Sequence, residues 1–277
     1  MDNFSNLMMV GECLLDFKRG YAFKKAILKT VKKGDVVLDA GTGSGIMSFF
    51  AVKAGASKVF AVEIDSGIAD ITKNNIKVNG FESKIEVVNS DLKNIANIIK
   101  TPVDVLIMEM MDTALIAEQQ IPAINALYKA NIVNNQTKFI PCRMENFLQF
   151  TNYNYNFFGF NMPFIIQARN FGTIKRVKRY FSEKIKIADI SLNVPNKIDF
   201  ISEFEFKSTF DGEINSAVIS SLTYLTSDIS IGATSDMNMP VVLKLDSIKV
   251  KKNQIIKGVI SYKFAEGFAN LKIKLES

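Results

Sequence analysis

A few carboxylates and three closely spaced glycines hold the positions at which this chain could do chemistry. Asp39 ends an apolar run, Val36-Val37-Leu38, and leads straight into Gly41-Thr42-Gly43-Ser44-Gly45. Glu63 ends a second apolar run, residues 59–62. Glycines in such a turn let the backbone bend tightly and approach a ligand closely, with a helix N-terminus aimed at it. A carboxylate at the end of the following strand can accept hydrogen bonds from both hydroxyls of a ribose. The glycines fall as G-x-G-x-G after an acid, not as the G-x-G-x-x-G of dinucleotide sites, and Asp39 would repel a diphosphate. A turn that merely packed a strand on a helix would need neither acid. Further on, Glu109 closes a third apolar run and Glu118 follows nine residues later. Histidine is absent, so acid–base work falls to carboxylates, Lys, Tyr or water. The two cysteines, Cys13 and Cys142, have no metal-like spacing, and no metal site is expected.

The elements that must position these residues alternate strand and helix. Residues 35–65 read as strand, glycine turn, helix, strand, a βαβ unit of a parallel sheet. The pattern repeats with a helix at residues 68–78 stopped by Asn79-Gly80, a strand at 85–88, a turn at Asn89-Ser90-Asp91-Leu92, a strand at 103–108 and a helix at 121–129. Ahead of the glycines, Phe23, Ile27, Leu28 and Val31 recur at helical intervals after a break expected at Gly20. Arg19, just before that helix, could fork onto a ligand carboxylate or pair with Asp16 on the surface.

Alternation of strand and helix stops near Pro141. Beyond it, Phe204 and Phe206 alternate with Glu203, Glu205 and Lys207, and Asp211-Gly212 forms a turn. Ile260, Tyr262 and Phe264, then Leu271, Ile273 and Leu275, alternate with polar residues in the same way, with a turn at Glu266-Gly267. Half-buried antiparallel strands of this kind imply a β-barrel or sandwich. The expected fold class is therefore α/β, with a Rossmann-like unit over residues 1–141 and an antiparallel β-barrel or sandwich unit over residues 142–277.

Charge and composition narrow the partners. No apolar run approaches the ~20 residues of a membrane span, and no secretory signal is evident, so a cytoplasmic protein is expected. The net charge of +6 is matched by one window bounded by Arg169 and Lys186, with seven basic residues and one acid. Phe171, Tyr180 and Phe181 interleave those charges and could stack on RNA bases; a solvated strand-and-loop surface is the plainer reading.

The D-x-G-x-G-x-G loop with a later acidic strand end looks like the S-adenosylmethionine site of Rossmann-like methyltransferases. That resemblance places the loop, Gly41, Gly43 and Gly45, along the methionine part, Asp39 near its ammonium, Glu63 on the ribose, and Asp91 or the backbone at Leu92 near the adenine amine. Over most of its length the chain further resembles the protein arginine methyltransferases. Leu14, Asp16, Arg19 and Ile27 fit the segment before that family's nucleotide domain, where the arginine holds the cofactor carboxylate. Glu109-Met-Met-Asp-Thr-Ala-Leu-Ile-Ala-Glu118 is similar to its double-glutamate loop, and Phe158-Gly159-Phe160-Asn161-Met162 to its Y-G-F-D-M.

The resemblance implies a catalytic pair, Glu109 and Glu118, holding a guanidinium by its N–H groups, with a protein substrate. The Thr-His-Trp loop of the family is absent, since the chain has neither His nor Trp, and residues 234–240 stand in its place. The glutamate loop carries Asp112-Thr113 where the family has Gly and an aromatic. Residues 148–159 leave little room for the family's dimerisation arm, so a monomer or a dimer built differently is expected. An RNA methyltransferase on the same scaffold and a non-catalytic subunit that kept the fold are the competing readings. Against base amino-group chemistry, no N-P-P-Y or D-P-P-Y follows the fourth strand.

Overall fold

The structure is a computed structural model, described here for residues 7–167 and 174–276. Two helices open it, α1 (Leu7–Leu15) and α2 (Phe17–Thr30). The parallel unit follows as β1 (Val36–Ala40), α3 (Ile46–Ala54), β2 (Lys58–Glu63), α4 (Ser66–Val78), β3 (Ile85–Asn89), β4 (Val105–Met108), α5 (Gln120–Lys129) and β5 (Lys138–Ile140). The strands lie in the order β3-β2-β1-β4-β5, and every pairing is parallel. β4 is buried along its length and β1 along all but its first residue, as apolar strands covered on both faces must be.

The order reverses between β1 and β4. In open parallel sheets a ligand crevice forms at such a switch point, beyond the carboxyl ends of the strands. Register brings the acids to that one edge: Ala40 pairs with both Val62 and Met108, and Glu63 with Asn89.

The expected break at Gly20 does not occur. α2 runs through it, and the chain interrupts earlier, at Asp16, whose side chain accepts from Arg19 N at 3.0 Å and caps the helix. A buried apolar face, Phe23, Ala26 and Ile27, outweighs the ~1 kcal/mol that a glycine costs inside a helix.

After Pro141 the chain is antiparallel: β6 (Arg143–Tyr153), β7 (Asn156–Phe157), β8 (Phe160–Asn161), β9 (Ile166–Gln167), β10 (Val177–Tyr180), β11 (Ile185–Ser191), β12 (Asp199–Lys207), β13 (Gly212–Tyr224), β14 (Ser230–Ile231), β15 (Val241–Val250), β16 (Ile255–Lys263) and β17 (Lys272–Glu276). A curled sheet runs β10-β6-β13-β15-β9, with β11 also on β6 and β14 on β13; β12-β16-β17 form a second sheet. Phe204, Phe206, Ile260, Tyr262 and Phe264 point inward, as their alternation implies. The Asp211-Gly212 turn does not close a hairpin, because β12 pairs with β16 and β13 with β6 and β15. One hydrophobic core joins both parts of the chain, from Leu38 and Ile107 to Leu148, Ile219 and Ile260.

Candidate active site

The glycine loop owes its shape to its glycines. Gly41, Gly43 and Gly45 have φ of +73°, +52° and +84°, a region L side chains rarely adopt. The N–H groups of Gly41 and Thr42 donate to Val62 O at 2.9 Å, tying the loop to β2. Asp39 is buried; its Oδ2 accepts from Thr42 Oγ1 at 2.7 Å and Ser48 Oγ at 2.6 Å. Burial pushes its carboxyl up, and the two hydroxyls oppose that rise. One oxygen of Asp39 thus braces the loop against α3, a role the sequence reading did not include.

Glu63 is similarly engaged. Its Oε2 accepts from Gly43 N at 3.1 Å and its Oε1 from Asp65 N at 3.0 Å. Each carboxylate oxygen has two acceptor positions, so both remain able to take a hydroxyl. The next turn is tied to the same residue, with Ser90 N donating to Glu63 O at 3.1 Å. There Asp91 accepts from Lys93 N at 2.9 Å and caps the short 3-10 turn Leu92–Asn97.

Arg19 is buried under the start of α2 and pairs with Glu109, a contact between residues 90 apart in sequence. Arg19 Nη1 also donates to Cys13 O at 3.4 Å. Its Nε is buried and has no hydrogen-bond partner among the described residues. An orphaned guanidinium donor beside the glycine loop fits a ligand that brings a carboxylate. Burial pushes Glu109 above the ordinary carboxylate range and contact with Arg19 pulls it back, while Arg19 itself stays charged.

Between Glu109 and Glu118 the chain makes a tight excursion. Gln120, buried at the start of α5, gathers its root: Gln120 Oε1 accepts from Met110 N at 3.0 Å and Nε2 donates to Met108 O at 2.9 Å. A polar residue on the apolar face of α5, beside Ile121 and Ile124, was the signal that could have found it. Asp112 accepts from Ala117 N at 3.1 Å and Glu118 N at 3.3 Å, and burial pushes its carboxyl up to about 6.

Glu118 is pushed up to about 8, by burial first and then by the charges of Glu109 and Asp112, against the pull of Arg19. Glu109, Glu118 and Arg19 therefore share one electrostatic environment. Cys13 and Asp236 belong to it too: Asp236 acts on Glu109, and the Cys13 thiol is pushed up to about 11 by burial, Arg19 opposing, and by the carboxylates around it. The loop at 234–240 reaches this cluster through Asp236 N, which donates to Asp16 Oδ2 at 3.2 Å. Among the described residues no group of His, Cys, Asp and Glu could hold a metal ion.

In the basic window, Tyr180 is half-buried and one further ring is taken up by the core. Phe181 is 3% exposed, part of the core, and cannot stack on a base; this corrects the sequence reading. Apolar packing in the core took a ring that stands inside a basic stretch. Arg169 and Phe171 lie outside the described residues. Arg176 and Arg179 sit over Phe157 and Phe210, at 4.3 and 4.6 Å from the ring centroids. No helix among the described residues is long and apolar enough to cross a membrane.

The comparisons agree with this geometry. Residues 24–134 match the model of the ribosomal protein L11 methyltransferase (PrmA) family. An uncharacterized protein of Methanocaldococcus jannaschii, MJ1452, is 31% identical over 271 residues, covering 95% of this chain and 94% of that one. Protein arginine N-methyltransferase 6 of Danio rerio is 38% identical over 125 residues, 44% of this chain and 35% of that protein. The chain thus spans about a third of the length of that arginine methyltransferase in the sequence match. In structure the likeness runs further. The Trypanosoma brucei PRMT1 enzyme–prozyme complex with AdoHcy superposes with a TM-score of 0.79 at 20% identity, covering 99% of this chain and 94% of that one. PRMT6 bound to SAH gives 0.76 at 17%, covering 98% and 99%. The chain belongs to the family of MJ1452 and is an S-adenosylmethionine-dependent methyltransferase with the fold of the protein arginine methyltransferases.

Proposed function

We propose that this methyltransferase acts on a protein side chain, the guanidinium of arginine, and that Glu109 and Glu118 hold it. The observation that carries the reading is the convergence of those two carboxylates, through their mutual charge, at the sheet edge beside Arg19. S-adenosylmethionine supplies an electrophilic methyl group. A guanidinium is protonated and delocalised, and so a poor nucleophile. Two carboxylates that accept its N–H groups fix its plane and draw positive charge away from the attacking nitrogen. Holding that nitrogen in line, about 3–3.5 Å from the methyl carbon, supplies much of the rate. No strong base is needed when the proton leaves late.

Arg19 would serve both ligands at once, its Nη2 on Glu109 and its free Nε on the cofactor carboxylate. Gly41, Gly43 and Gly45 would line the methionine part with Asp39 behind them, Glu63 the ribose, and Asp91 with the Leu92 backbone the adenine. The boundary at residue 141 would separate a cofactor unit from a substrate unit. Residues 148–159 are taken up by the end of β6 and the β7–β8 hairpin, which leaves Phe158 98% exposed. This supports a monomer, or a dimer built differently from the family's arm-mediated ring; sedimentation equilibrium together with a structure showing the arm-mediated ring would overturn it.

The test is incubation with methyl-labelled S-adenosylmethionine and a cell extract, treated separately with protease and ribonuclease. Label removed by protease and recovered as methylarginine supports the reading; label removed by ribonuclease overturns it in favour of RNA. Changing Lys175, Arg176, Lys178 and Arg179 together to Ser should alter turnover of a small protein substrate by less than about twofold. An RNA enzyme would instead lose affinity steeply with salt, with a slope that shrinks as those four charges go.

A further inference from the structure

Two residues between the glutamates, Ala114 and Leu115, have φ of +62° and +60°. Neither is glycine, and L side chains avoid this region unless the surroundings impose it. The restraints come from the antiparallel half of the chain. Ser221 Oγ, on β13, accepts from Ala114 N at 2.9 Å, and Tyr262 OH, on β16, donates to Ala114 O at 3.0 Å. Ser221 in turn donates to Asn146 Oδ1, on β6, at 2.7 Å.

All three side chains are buried. Two of them hold the two backbone groups of one residue. The turn after β16 adds to the hold, with Ala265 N donating to Leu115 O at 3.3 Å and Gly267 N to Ile116 O at 2.9 Å. Immediately after this stretch the chain doubles back, Asp112 takes up the Ala117 and Glu118 amides, and Glu118 returns to Glu109.

We propose that Ser221 and Tyr262 are positioning residues for methyl transfer: they hold Ala114 in its left-handed conformation so that the loop folds back and delivers Glu118 to the site. The inference rests on the reading of Glu118 as a guanidinium ligand. It assigns the buried polar groups of the β unit a function at the reacting centre without contact to either substrate. Tyr262 keeps its proton throughout, because burial and the Asp112 charge both push its ionisation upward.

The experiment compares Tyr262→Phe, Ser221→Ala and Glu118→Gln with the unaltered chain by three measurements. These are amide hydrogen exchange over residues 109–118, S-adenosylhomocysteine affinity by calorimetry, and kcat and KM for methyl transfer to an arginine-containing peptide. Tyr262→Phe and Ser221→Ala should each speed exchange at Ala117 and Glu118 and lower kcat about tenfold, the loss of roughly one buried hydrogen bond, with KM little changed. S-adenosylhomocysteine should bind as before.

Adding Ala114→Gly to Tyr262→Phe should recover part of the lost kcat, since glycine takes φ near +62° without strain. A purely structural tyrosine would not respond to a glycine placed in the loop. Unaltered exchange at Ala117 and Glu118 in both single variants overturns the proposal, as does a kcat loss that Ala114→Gly leaves untouched. Should Tyr262→Phe not fold, Ser221→Ala decides by the same exchange. A Glu118→Gln variant at full activity instead overturns the glutamate reading, while the exchange data still judge the loop.

Discussion

The glycine loop at residues 41–45 and the glutamate loop at residues 112–118 leave neighbouring strands of one sheet, and both turn through left-handed backbone. They reach it by opposite means. The first uses Gly41, Gly43 and Gly45, for which that conformation costs little, and its bracing acids lie within 25 residues. The second uses Ala114 and Leu115, at on the order of 1–3 kcal/mol each, and is held by residues more than 100 positions later. The glycine loop, proposed to line the cofactor, is specified locally. The glutamate loop, proposed above to hold the acceptor, is shaped by the antiparallel half of the chain, and its form can change when that half changes.

The sharpest division between the loops is chemical. Glu109→Gln or Glu118→Gln should lower kcat by roughly a hundredfold or more, about 3 kcal/mol, with cofactor affinity barely moved. Stopped assays at saturating acceptor, with calorimetry for the cofactor, check both halves; a wild-type rate would break the assignment. Glu63→Ala should do the converse, weakening cofactor binding by about 1–3 kcal/mol as ribose hydroxyls and the Gly43 and Asp65 amides lose an acceptor. Unchanged affinity by calorimetry would remove Glu63 from the site.

Gly43→Ala should lower thermal stability by about 1–2 kcal/mol, because its φ of +52° suits glycine although the space beside Val10 would admit a methyl. Ala114→Gly should shift stability by less than about 1 kcal/mol, strain relief opposing the entropy of glycine. Equal losses from both would erase the contrast between the loops.

A separate effect concerns pH. Folding raises the Glu118 carboxyl from 4.5 to about 8, so the folded chain holds a proton that the unfolded chain releases. Stability therefore falls as pH rises through that interval, and Glu118→Gln avoids the loss. The Tm of Glu118→Gln should match the unaltered protein near pH 4.5, exceed it increasingly toward pH 8, and level off above. A pH-independent difference would place Glu118 outside the buried acidic cluster.

Much of this division was legible in the residues. The D-x-G-x-G-x-G loop, the acid ending β2 and the alternation in β12 and β16 are local patterns, and the folded chain keeps them. The spacing of Glu109 and Glu118 was readable as a motif; the contact of Glu109 with Arg19 was not, because it joins residues 90 apart. Gly20 misled, since the buried face of α2 carried the helix through it. Phe181 misled for the same reason: tertiary packing decides which ring of a basic stretch is buried. Tyr262 read only as a member of a strand and Ser221 was not singled out, since nothing adjacent to either marks a hydroxyl that will hold Ala114.

One contact has a consequence for when the enzyme becomes an enzyme. Asp16 caps the helix that carries Arg19 and also accepts from Asp236, 220 residues further along. A ribosome makes Arg19 and both glutamates more than 100 residues before Asp236, whose amide fastens the cap of the Arg19 helix. A nascent chain halted before residue 236 has all five parallel strands in its sequence but lacks the Asp236 amide that donates to Asp16. With Arg19, Glu109 and Glu118 forming the site as proposed, its last fastening waits for translation of residue 236.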